Sequence, residues 1–400
     1  MTDAGVLAGL LVLDAGTMVG GPFAGTLAAD YGADVIKIEK PGAGDPIREW
    51  PPIKEGVSLW WKVTGRNKRL VTLDLRTERG RALFLRLVEK ADAVIENFRP
   101  GTFARWGLSY EELARVNPRI VLVHVSGYGQ TGPYTHRPGY GTVAEAMSGI
   151  PSFTGFPDKP PTLSAFPLAD TLAATFALVG LLSAVYERDV AGSGRGQEVD
   201  VSLYEPVFRL AESQVIGYDQ LGIVKQRRGN RLEEDSPRNA YATADGEWLT
   251  ISASSDRTFA RLAEAIGRPE LALDPRFSDN ASRIANDAEL DGIIAAWMAA
   301  RTADEIMDVL ARQDVVAGKV YDVEDIFEDP HFAAREDIVS VPDLDFGMVK
   351  MPGVFPRFSR SSCRVRWSGG RMGQDNDKVY GELLGLGQGE LGELRAQGVI

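Results

Sequence analysis

The sequence predicts an α/β protein with a parallel sheet, and three observations support this fold class. Short apolar strands alternate with amphipathic helices through the first half of the chain. A glycine-rich turn joins the first strand to the first helix. At 400 residues, the chain exceeds what one hydrophobic core usually organises. We therefore expect a large doubly wound domain and a second, smaller domain.

The first strand-helix-strand unit is predicted near the N-terminus. The apolar stretch Val6 to Leu13 is typical of a strand, and the turn Gly16 to Gly21 follows it. Pro22 suits the first position of a helix that runs to Tyr31. Asp34 to Glu39 is the next predicted strand. A helix between two consecutive strands indicates that the strands pair in parallel.

The same alternation continues along the chain. We expect strand, helix, strand, helix and strand in turn over Leu70–Leu75, Arg79–Lys90, Ala93–Glu96, Tyr110–Arg115 and Ile120–Val125. A buried helix is predicted over Leu172–Tyr186, followed by a strand over 196–202 and a helix from about Glu205. The apolar run of this buried helix is shorter than the roughly twenty residues that a membrane span requires. We therefore expect no membrane-spanning segment.

A charged stretch, Gln226 to Ser236, marks a domain boundary. Beyond it we expect a hairpin over Ala240–Ala253 and then helices over Thr258–Ile266, Asp287–Ala299 and Thr302–Gln313. The tail is predicted to return to the large domain with turn-rich strands and a final helix near Asn376 to Leu383. The predicted large Rossmann-like domain comprises residues 1–225 and 328–400, and the small α+β domain comprises residues 226–327.

The composition excludes several classes of function. The formal net charge of −12 argues against a nucleic-acid binder or a general binder of anionic membranes. A single cysteine, Cys363, excludes an intrachain disulfide and suits a reducing compartment, so we expect a cytoplasmic protein. The start of the chain has no basic region typical of a signal peptide. His124, His136 and His331 lack metal-ligand spacing, so no metal site is predicted.

A local excess of positive charge nevertheless indicates an anionic ligand. From Trp60 to Ile120 there are thirteen lysines and arginines against seven acids. Candidate anion-binding residues lie at the ends of elements or in loops, and they are Lys40, Arg76, Arg99 and Arg105. Arg79, Arg81, Arg86 and Lys90 are better explained as a solvated helix face.

Single residues suggest two further hypotheses: an NAD-dependent enzyme, and a helix-capping role for Asp170. Glu39 stands where a dinucleotide-binding fold places its ribose-binding acid, but the glycines of the first turn do not match the GxGxxG spacing. Asp170 immediately precedes a long apolar helix, so we predict it as the helix N-cap. A carboxylate at a helix start can also act as a nucleophile, and the two roles are compatible.

Several motifs together resemble the class III coenzyme A (CoA) transferases and, more distantly, the α-methylacyl-CoA racemases. The resemblance extends over nearly the whole chain, and it is carried by Val12-Leu-Asp14, Gly21-Pro22, Gly32-Ala-Asp-Val-Ile-Lys-Ile-Glu39, Gly44-Asp45-Pro46, Asn67-Lys68-Arg69, Glu96-Asn-Phe-Arg-Pro-Gly101, Asn117-Pro118, Ser126-Gly-Tyr-Gly129, Pro138-Gly-Tyr140, Leu168-Ala-Asp170 and Gly194-Arg-Gly-Gln-Glu-Val-Asp200. It implies a Rossmann-like domain built from both chain ends, a small central domain and two interlocked subunits.

The resemblance also implies an activity and a set of site residues. CoA would pass from an acyl-CoA donor to a carboxylic acid acceptor through aspartyl anhydride and aspartyl-CoA thioester intermediates, with no permanent cofactor. Asp170 matches the catalytic aspartate. The residues implied in CoA binding are Lys40, Arg76, Asn97, Phe98, Arg99, Arg105 and Tyr140. The loop residues expected to stabilise oxyanions are Thr17, Met18, Val19 and Gly20.

Departures from the family pattern argue against a formyl or oxalate substrate and leave the orientation of the substrate unassigned. Val19 replaces a glutamine of formyl-CoA transferase, Gly141 replaces an acid, and no histidine occurs near Asp375. Glu145 is a candidate to compensate for the missing acid. An α-methylacyl-CoA racemase-like epimerase is the alternative, but Tyr140 stands where that branch carries a histidine base. A CoA-binding protein without turnover is a further alternative.

Overall fold

The computed structural model describes residues 4–400, which form two compact units. The first unit runs to Ile150 and includes Leu163–Ile223 and His331–Ile400. The second comprises Pro151–Thr162 and Val224–Pro330. The boundaries expected near 226 and 327 lie within a few residues of those observed. Residues 151–162, expected in the large domain, instead belong to the second unit.

The described chain contains strands and helices in the following order. The strands are β1 (Leu11–Asp14), β2 (Asp34–Glu39), β3 (Ile53–Lys54), β4 (Val57–Ser58), β5 (Arg69–Thr72), β6 (Ala93–Glu96), β7 (Val121–Ser126), β8 (Glu198–Ser202), β9 (Arg238–Ala242), β10 (Trp248–Ser252), β11 (Ala317–Lys319), β12 (Ile338–Asp343) and β13 (Gly347–Pro352). The helices are α1 (Gly20–Asp30), α2 (Leu59–Thr64), α3 (Glu78–Val88), α4 (Thr102–Arg105), α5 (Tyr110–Val116), α6 (Gly141–Met147), α7 (Ile150–Phe153), α8 (Leu168–Tyr186), α9 (Glu205–Leu210), α10 (Glu212–Leu221), α11 (Asp256–Ala265), α12 (Asn280–Ala285), α13 (Asp287–Met298), α14 (Ala303–Arg312), α15 (Val323–Glu328), α16 (Pro330–Ala334) and α17 (Gln388–Ala396).

The first unit is built on a parallel sheet, as the sequence predicts. Within residues 4–400, six strands pair in the order β5-β2-β1-β6-β7-β8, and every neighbouring pair is parallel. This is the strand order of a dinucleotide-binding Rossmann fold. Successive strands are added on one side of β1 up to β5, and the following strands are added on the other side from β6 onward, so the order reverses between β1 and β6. Ligands of such sheets bind beyond the carboxyl ends of the strands at this reversal, so the loops after β1 and β6 are the first places to search for a site.

Each face of the sheet is covered by its own core. Alanines of α1 and α8 pack on one face and allow close approach of the two helices. On the other face, Phe84 of α3 and Leu113 of α5 pack together with Tyr380 from the C-terminal segment. The middle strands are consequently buried on both sides, which explains their continuous apolar sequence.

Helix α8 is longer than the apolar run that predicted it. With a π-helical turn at its end it spans Leu168–Ala191, which is 24 residues and long and apolar enough to cross a membrane by length and composition alone. The helix is therefore longer than the predicted segment Leu172–Tyr186, and its length by itself does not distinguish it from a membrane span. Ala173, Ala174 and Ala177 of this helix are fully buried in the core that it shares with α1 and the sheet.

Three local predictions need correction at the two ends of the chain. The strand predicted from Val6 begins only at Leu11, because the residues before it form turns. Pro22 is the third residue of α1, which begins at Gly20. The predicted final helix near Asn376 is a π-helical segment over Asp377–Leu383, and α17 follows it.

The segment before this π-helical turn pairs with the edge strand β5. Asp375 accepts a hydrogen bond from the Leu70 amide at 2.8 Å, and Asn376 accepts one from the Thr72 amide at 2.9 Å. Asp375 and Asn376 therefore provide acceptors for two backbone amides of the edge strand β5.

The second unit carries the predicted hairpin and helices. Strands β11, β10 and β9 form an antiparallel sheet, and β9 and β10 are joined through the turn at Asp245 and Gly246. Helices α11, α13 and α14 supply the buried residues Phe259, Leu290 and Ile306 to its core. The α+β prediction for this segment is confirmed.

Candidate active site

The loop from Gly16 to Val19 follows β1 and is held by side chains from neighbouring elements. Asn97, in the loop after β6, accepts a hydrogen bond from the Thr17 amide at 2.7 Å and donates one to the Thr17 carbonyl at 2.8 Å. Met18 has a φ of 65°, a conformation that costs energy in a residue other than glycine. Its amide donates to Asp45 Oδ1 at 2.9 Å. The two loops at the reversal of the sheet are thus joined, as the strand order requires.

A cavity of about 500 Å³ opens beside this loop. Its walls include the loop after β1, the loop after β6, the end of β7, the start of α6 and the segment that leads into α8. Its lining includes the predicted site residues Thr17, Met18, Val19, Asn97, Tyr140 and Asp170. Trp50 and Trp60, which were not among the predicted site residues, also line the cavity. Their ring centroids lie 5.7 Å apart in an edge-to-face arrangement, and the two rings form an apolar wall.

Asp170 does not cap its helix, and that prediction was wrong. The N-cap is Pro167, without a side-chain capping bond, and Asp170 is the third helical residue. Its carboxylate instead lies between two glycines: a Cβ on Gly141 would stand 1.9 Å from Asp170 Oδ2, and one on Gly20 would stand 3.7 Å from Oδ1. Both glycines begin helices, so the carboxylate lies beside the starts of α1 and α6.

Burial governs the protonation of this group. Removal from water raises the pKa of Asp170 to about 6, and only its own backbone amide opposes that shift. The pKa of Tyr140 is also raised, first by burial and then by the negative charge of Asp170. Near neutral pH, the Asp170 carboxylate is therefore largely ionised and the Tyr140 phenol remains protonated.

Glu145 lies in the same cavity but does not contact Asp170. It is buried, and its Oε1 accepts hydrogen bonds from the Ser164 amide at 2.7 Å and the Ser164 hydroxyl at 2.9 Å. Glu145 thereby ties α6 to the segment that precedes Asp170. Glu145 was predicted to compensate for the missing acid at position 141, but its hydrogen bonds are made to Ser164 and not to Asp170.

A second cavity, of about 340 Å³, lies at the carboxyl ends of β1, β2 and β5. Lys40, Arg76 and Phe98, which were predicted to bind CoA, line it together with Trp106. The rings of Phe98 and Trp106 meet at 4.9 Å and present aromatic surface. Thr17 lines both cavities, so the loop after β1 forms their common wall.

The basic residues of the sequence divide into two groups. Lys62, Arg66 and Lys68 form buried ion pairs with Asp343, Asp30 and Asp14, respectively. Their charges are therefore paired within the protein. Lys40 is exposed at the second cavity, and Arg76 there forms a double hydrogen bond with Asp74. Arg99 and Arg105 line neither cavity, although both are exposed on the chain between Phe98 and Trp106.

Glu39 is occupied by other groups. Arg48 donates to both of its oxygens, at 2.6 and 2.7 Å, and the Asp45 amide donates at 2.9 Å. The carboxylate therefore has a structural role, and the dinucleotide alternative loses its ribose-binding acid. Among the residues that the structure describes, no cluster of three metal-ligating side chains occurs. His124 is buried and bonded to Glu96 and Glu198.

Comparisons with known proteins identify a family that this chain matches over most of its length. The model of CoA-transferase family III matches residues 7–376. The succinyl-CoA–D-citramalate CoA-transferase of Chloroflexus aurantiacus is 48% identical over 390 residues, which cover 97% of this chain and 96% of that protein. The succinyl-CoA–L-malate CoA-transferase beta subunit of the same organism is 37% identical, covering 98% of both chains.

A solved structure shows the same fold. The crystal structure of a CAIB/BAIF family protein from Brucella suis superposes with a TM-score of 0.85 at 33% identity, covering 95% of this chain and all of that one. The mixed α/β architecture and its parallel sheet are therefore those of a solved protein family.

Proposed function

Because the chain belongs to CoA-transferase family III and is a CoA-transferase that acts on carboxylic acid acceptors, we propose that Asp170 is its covalent nucleophile. The observation that carries this proposal is the isolation of the Asp170 carboxylate. It lines the first cavity, and no cation and no other residue's donor neutralises it within the described chain. An ionised but poorly solvated carboxylate is a reactive oxygen nucleophile.

The reaction proceeds by two exchanges at Asp170. A carboxylate oxygen of Asp170 attacks the donor thioester carbon, the carbon–sulfur bond breaks, and a mixed anhydride and CoA thiolate form. The thiolate then attacks the Asp170 carbonyl carbon, which releases the donor acid and leaves an aspartyl-CoA thioester. The acceptor carboxylate displaces the thiolate to form a second anhydride, and thiolate attack on the acceptor carbonyl gives the new acyl-CoA and free Asp170. No proton is consumed overall.

The start of α1 is positioned to stabilise the oxyanions of these steps. The amides of Thr17 and Met18 already donate to Asn97 and Asp45, so they are engaged. The first amides of a helix have no partner within the helix. Gly20 begins α1 beside Asp170 Oδ1, and we assign oxyanion binding to the amides of Val19 and Gly20.

CoA is a substrate of this family, and we assign its nucleotide end to the second cavity. Lys40 and Arg76 supply positive charge for phosphates, and Phe98 and Trp106 supply aromatic surface for the adenine. Exposed Arg99 and Arg105 are additional candidates for phosphate contacts. Because Thr17 borders both cavities, the pantetheine arm would cross this loop toward Asp170 and Tyr140.

For the substrates, we propose succinyl-CoA as donor and a hydroxylated dicarboxylic acid such as citramalate as acceptor. The support is the 48% identical relative, which is named for this pair. The cavity is also suited to a hydroxy acid, since Thr17, Tyr140, Thr142 and Ser164 line it with hydroxyl-bearing side chains. The racemase alternative has less support, because the raised pKa of Tyr140 leaves no neutral-pH base at that position.

We further propose that the protein assembles with a second copy of itself. No residue of α10 is buried in the described chain, although the helix carries several large apolar side chains. More than half of the surface is exposed in each of Val215, Ile216, Tyr218 and Leu221. Large apolar patches of this kind mark protein interfaces.

We also propose that the protein acts in the cytoplasm, because its single cysteine suits a reducing compartment. We propose that it needs no permanently bound cofactor.

Oxygen-isotope transfer tests the mechanism directly. With an acceptor labelled by ¹⁸O in its carboxylate, each anhydride cycle leaves one labelled oxygen on Asp170. Mass analysis of the peptide that contains Asp170 should therefore show the label after a single turnover. An active enzyme that leaves Asp170 unlabelled would refute the covalent route, and an enzyme that exchanges only the α-proton of a 2-methylacyl-CoA would support the racemase alternative.

A further inference from the structure

Four charged side chains are completely buried beneath the loop Gly16–Val19. Asp14, Lys37, Asp45 and Lys68 all have side chains with no exposed surface. Lys37 Nζ lies 2.9 Å from Asp45 and 3.7 Å from Asp14, and Lys68 Nζ lies 2.8 Å from Asp14. Two positive and two negative charges therefore form one neutral network.

Stability alone gives no reason to keep such a network. Replacing buried ion pairs by apolar side chains of similar volume is often neutral or stabilising, because charges lose their hydration when they are buried. The pKa directions favour the charged form of two of these groups. Burial opposes the charge of Lys37, but Asp14 and Asp45 raise its pKa above the usual value, and the two lysines lower the pKa of Asp14 against the effect of burial. Burial is the largest effect on Lys68 and lowers its pKa. The buried network therefore points to a role in function.

The network bonds directly to the backbone of the loop. Asp14 accepts from the Gly16 amide at 3.1 Å, Lys37 donates to the Gly16 carbonyl, and Asp45 accepts from the Met18 amide. The Thr17 amide donates to Asn97, so each backbone amide from Gly16 to Met18 is hydrogen-bonded to a side chain. These bonds hold Met18 in its unfavourable backbone conformation.

We infer that Lys37 and Asp45 are positioning residues for the transfer reaction, which act by holding the loop Gly16–Val19 against both cavities. The inference rests on the proposed role of Asp170. The loop leads into Gly20, which adjoins the Asp170 carboxylate, and Thr17 separates the two cavities. A loop that shifts by about 1 Å would misplace the oxyanion-binding amides, and such a displacement can reduce the rate about a hundredfold.

A charge-balanced double variant separates this role from folding. Lys37→Met alone leaves the buried network with a net charge of −1, whereas Lys37→Met/Asp45→Asn restores neutrality and retains Asp14 with Lys68. We expect the double variant to unfold at nearly the wild-type temperature and to lose about tenfold to a hundredfold in kcat, with a smaller change in the KM for succinyl-CoA. The matched control is Asp30→Asn/Arg66→Met, which removes a buried ion pair without a bond to this loop.

The outcomes distinguish the possibilities. A folded double variant with the wild-type kcat would show that the network is only structural and would overturn the inference. A loss of kcat equal to that of the control would do the same. Wild-type protein that transfers CoA without labelling Asp170 would refute the proposed nucleophile instead, independently of the variants.

Hydrogen exchange gives a test that requires no variant. Amides bonded to buried carboxylates should exchange slowly even though they lie in a loop beside a cavity. We expect protection at Gly16 and Met18 in the wild-type protein, and also at Thr17, whose amide donates to Asn97. Exchange of these wild-type amides at the rate of an unstructured peptide would contradict the inference.

Discussion

The carboxylate of Asp170 occupies the space that a side chain at Gly141 would fill. An ideal Cβ on Gly141 would lie 1.9 Å from Asp170 Oδ2 and 3.0 Å from its Cγ, far inside van der Waals contact. Gly141 begins α6, and Tyr140 before it lines the same cavity. The absence of a side chain at position 141 therefore leaves the space in which the Asp170 carboxylate lies.

Gly141→Ala should displace the nucleophile. The added methyl group forces the carboxylate out of its present position, so we expect kcat to fall about a hundredfold. Steady-state kinetics with succinyl-CoA and citramalate provide the measurement. Gly292→Ala is the matched control, because a methyl group there meets no atom within 4 Å. Wild-type kcat in Gly141→Ala would mean that the position of Asp170 beside Gly141 is not required for attack.

The activity should decline on the acid side near pH 6. Burial raises the pKa of Asp170 to about 6, and the protonated carboxyl cannot attack a thioester. The profile of kcat/KM against pH, which reports the free enzyme, should therefore rise with pH and level off above about pH 7. A flat profile from pH 5 to pH 8 would exclude Asp170 as the group that titrates.

Asp170→Asn should abolish transfer while stabilising the fold at alkaline pH. The folded pKa of Asp170 lies above the unfolded value, so ionisation destabilises the folded state as pH rises between them, and the full penalty is present above about pH 6. We expect the variant to gain roughly 1–2 kcal/mol at pH 8 and almost nothing near pH 4, by denaturant unfolding. The exposed carboxylate of Asp158 provides the control substitution Asp158→Asn. A destabilised Asp170→Asn at pH 8 would assign Asp170 a mainly structural role.

Lys40→Ala should weaken the binding of acyl-CoA without changing the chemistry. Lys40 is exposed at the second cavity, where it would meet a phosphate of CoA. Loss of one exposed ion pair of up to about 1 kcal/mol corresponds to a rise in KM of about fivefold at low salt. Isothermal titration with CoA at two salt concentrations provides the check, since the difference should shrink as salt rises. Lys90→Ala, at an exposed position in the turn after α3, should bind CoA as the wild type does. Equal effects of both variants would contradict the assignment.

Ile216→Glu should disrupt self-association. The side chain is 64% exposed on α10, within the apolar patch assigned to a second copy. A charge there would be desolvated on assembly, so light scattering after size exclusion should show a smaller species than the wild type. Leu344→Glu, at an exposed turn of the first unit, is the control. An unchanged mass for Ile216→Glu, or a monomeric wild type, would exclude α10 as the interface.

The sequence alone determined the fold class and the order of elements. The strand Asp34–Glu39 and the strand Ala93–Glu96 match the structure residue by residue, because apolar runs between turn signals report local geometry. The motifs distributed along the chain together identified the family, and the one around Asp170 indicated the candidate nucleophile, since each motif consists of neighbouring residues.

Only the tertiary structure decided what surrounds those residues. The pattern before α8 predicted Asp170 as a cap, whereas the fold places its carboxylate beside Gly20 and Gly141 and raises its pKa through burial. In the same way, Lys37 and Lys40 are near neighbours in sequence, yet one is sealed in a buried ion-pair network and the other is exposed at a cavity. Desolvation and charge pairing depend on groups brought together from distant parts of the chain, and local patterns carry no information about them.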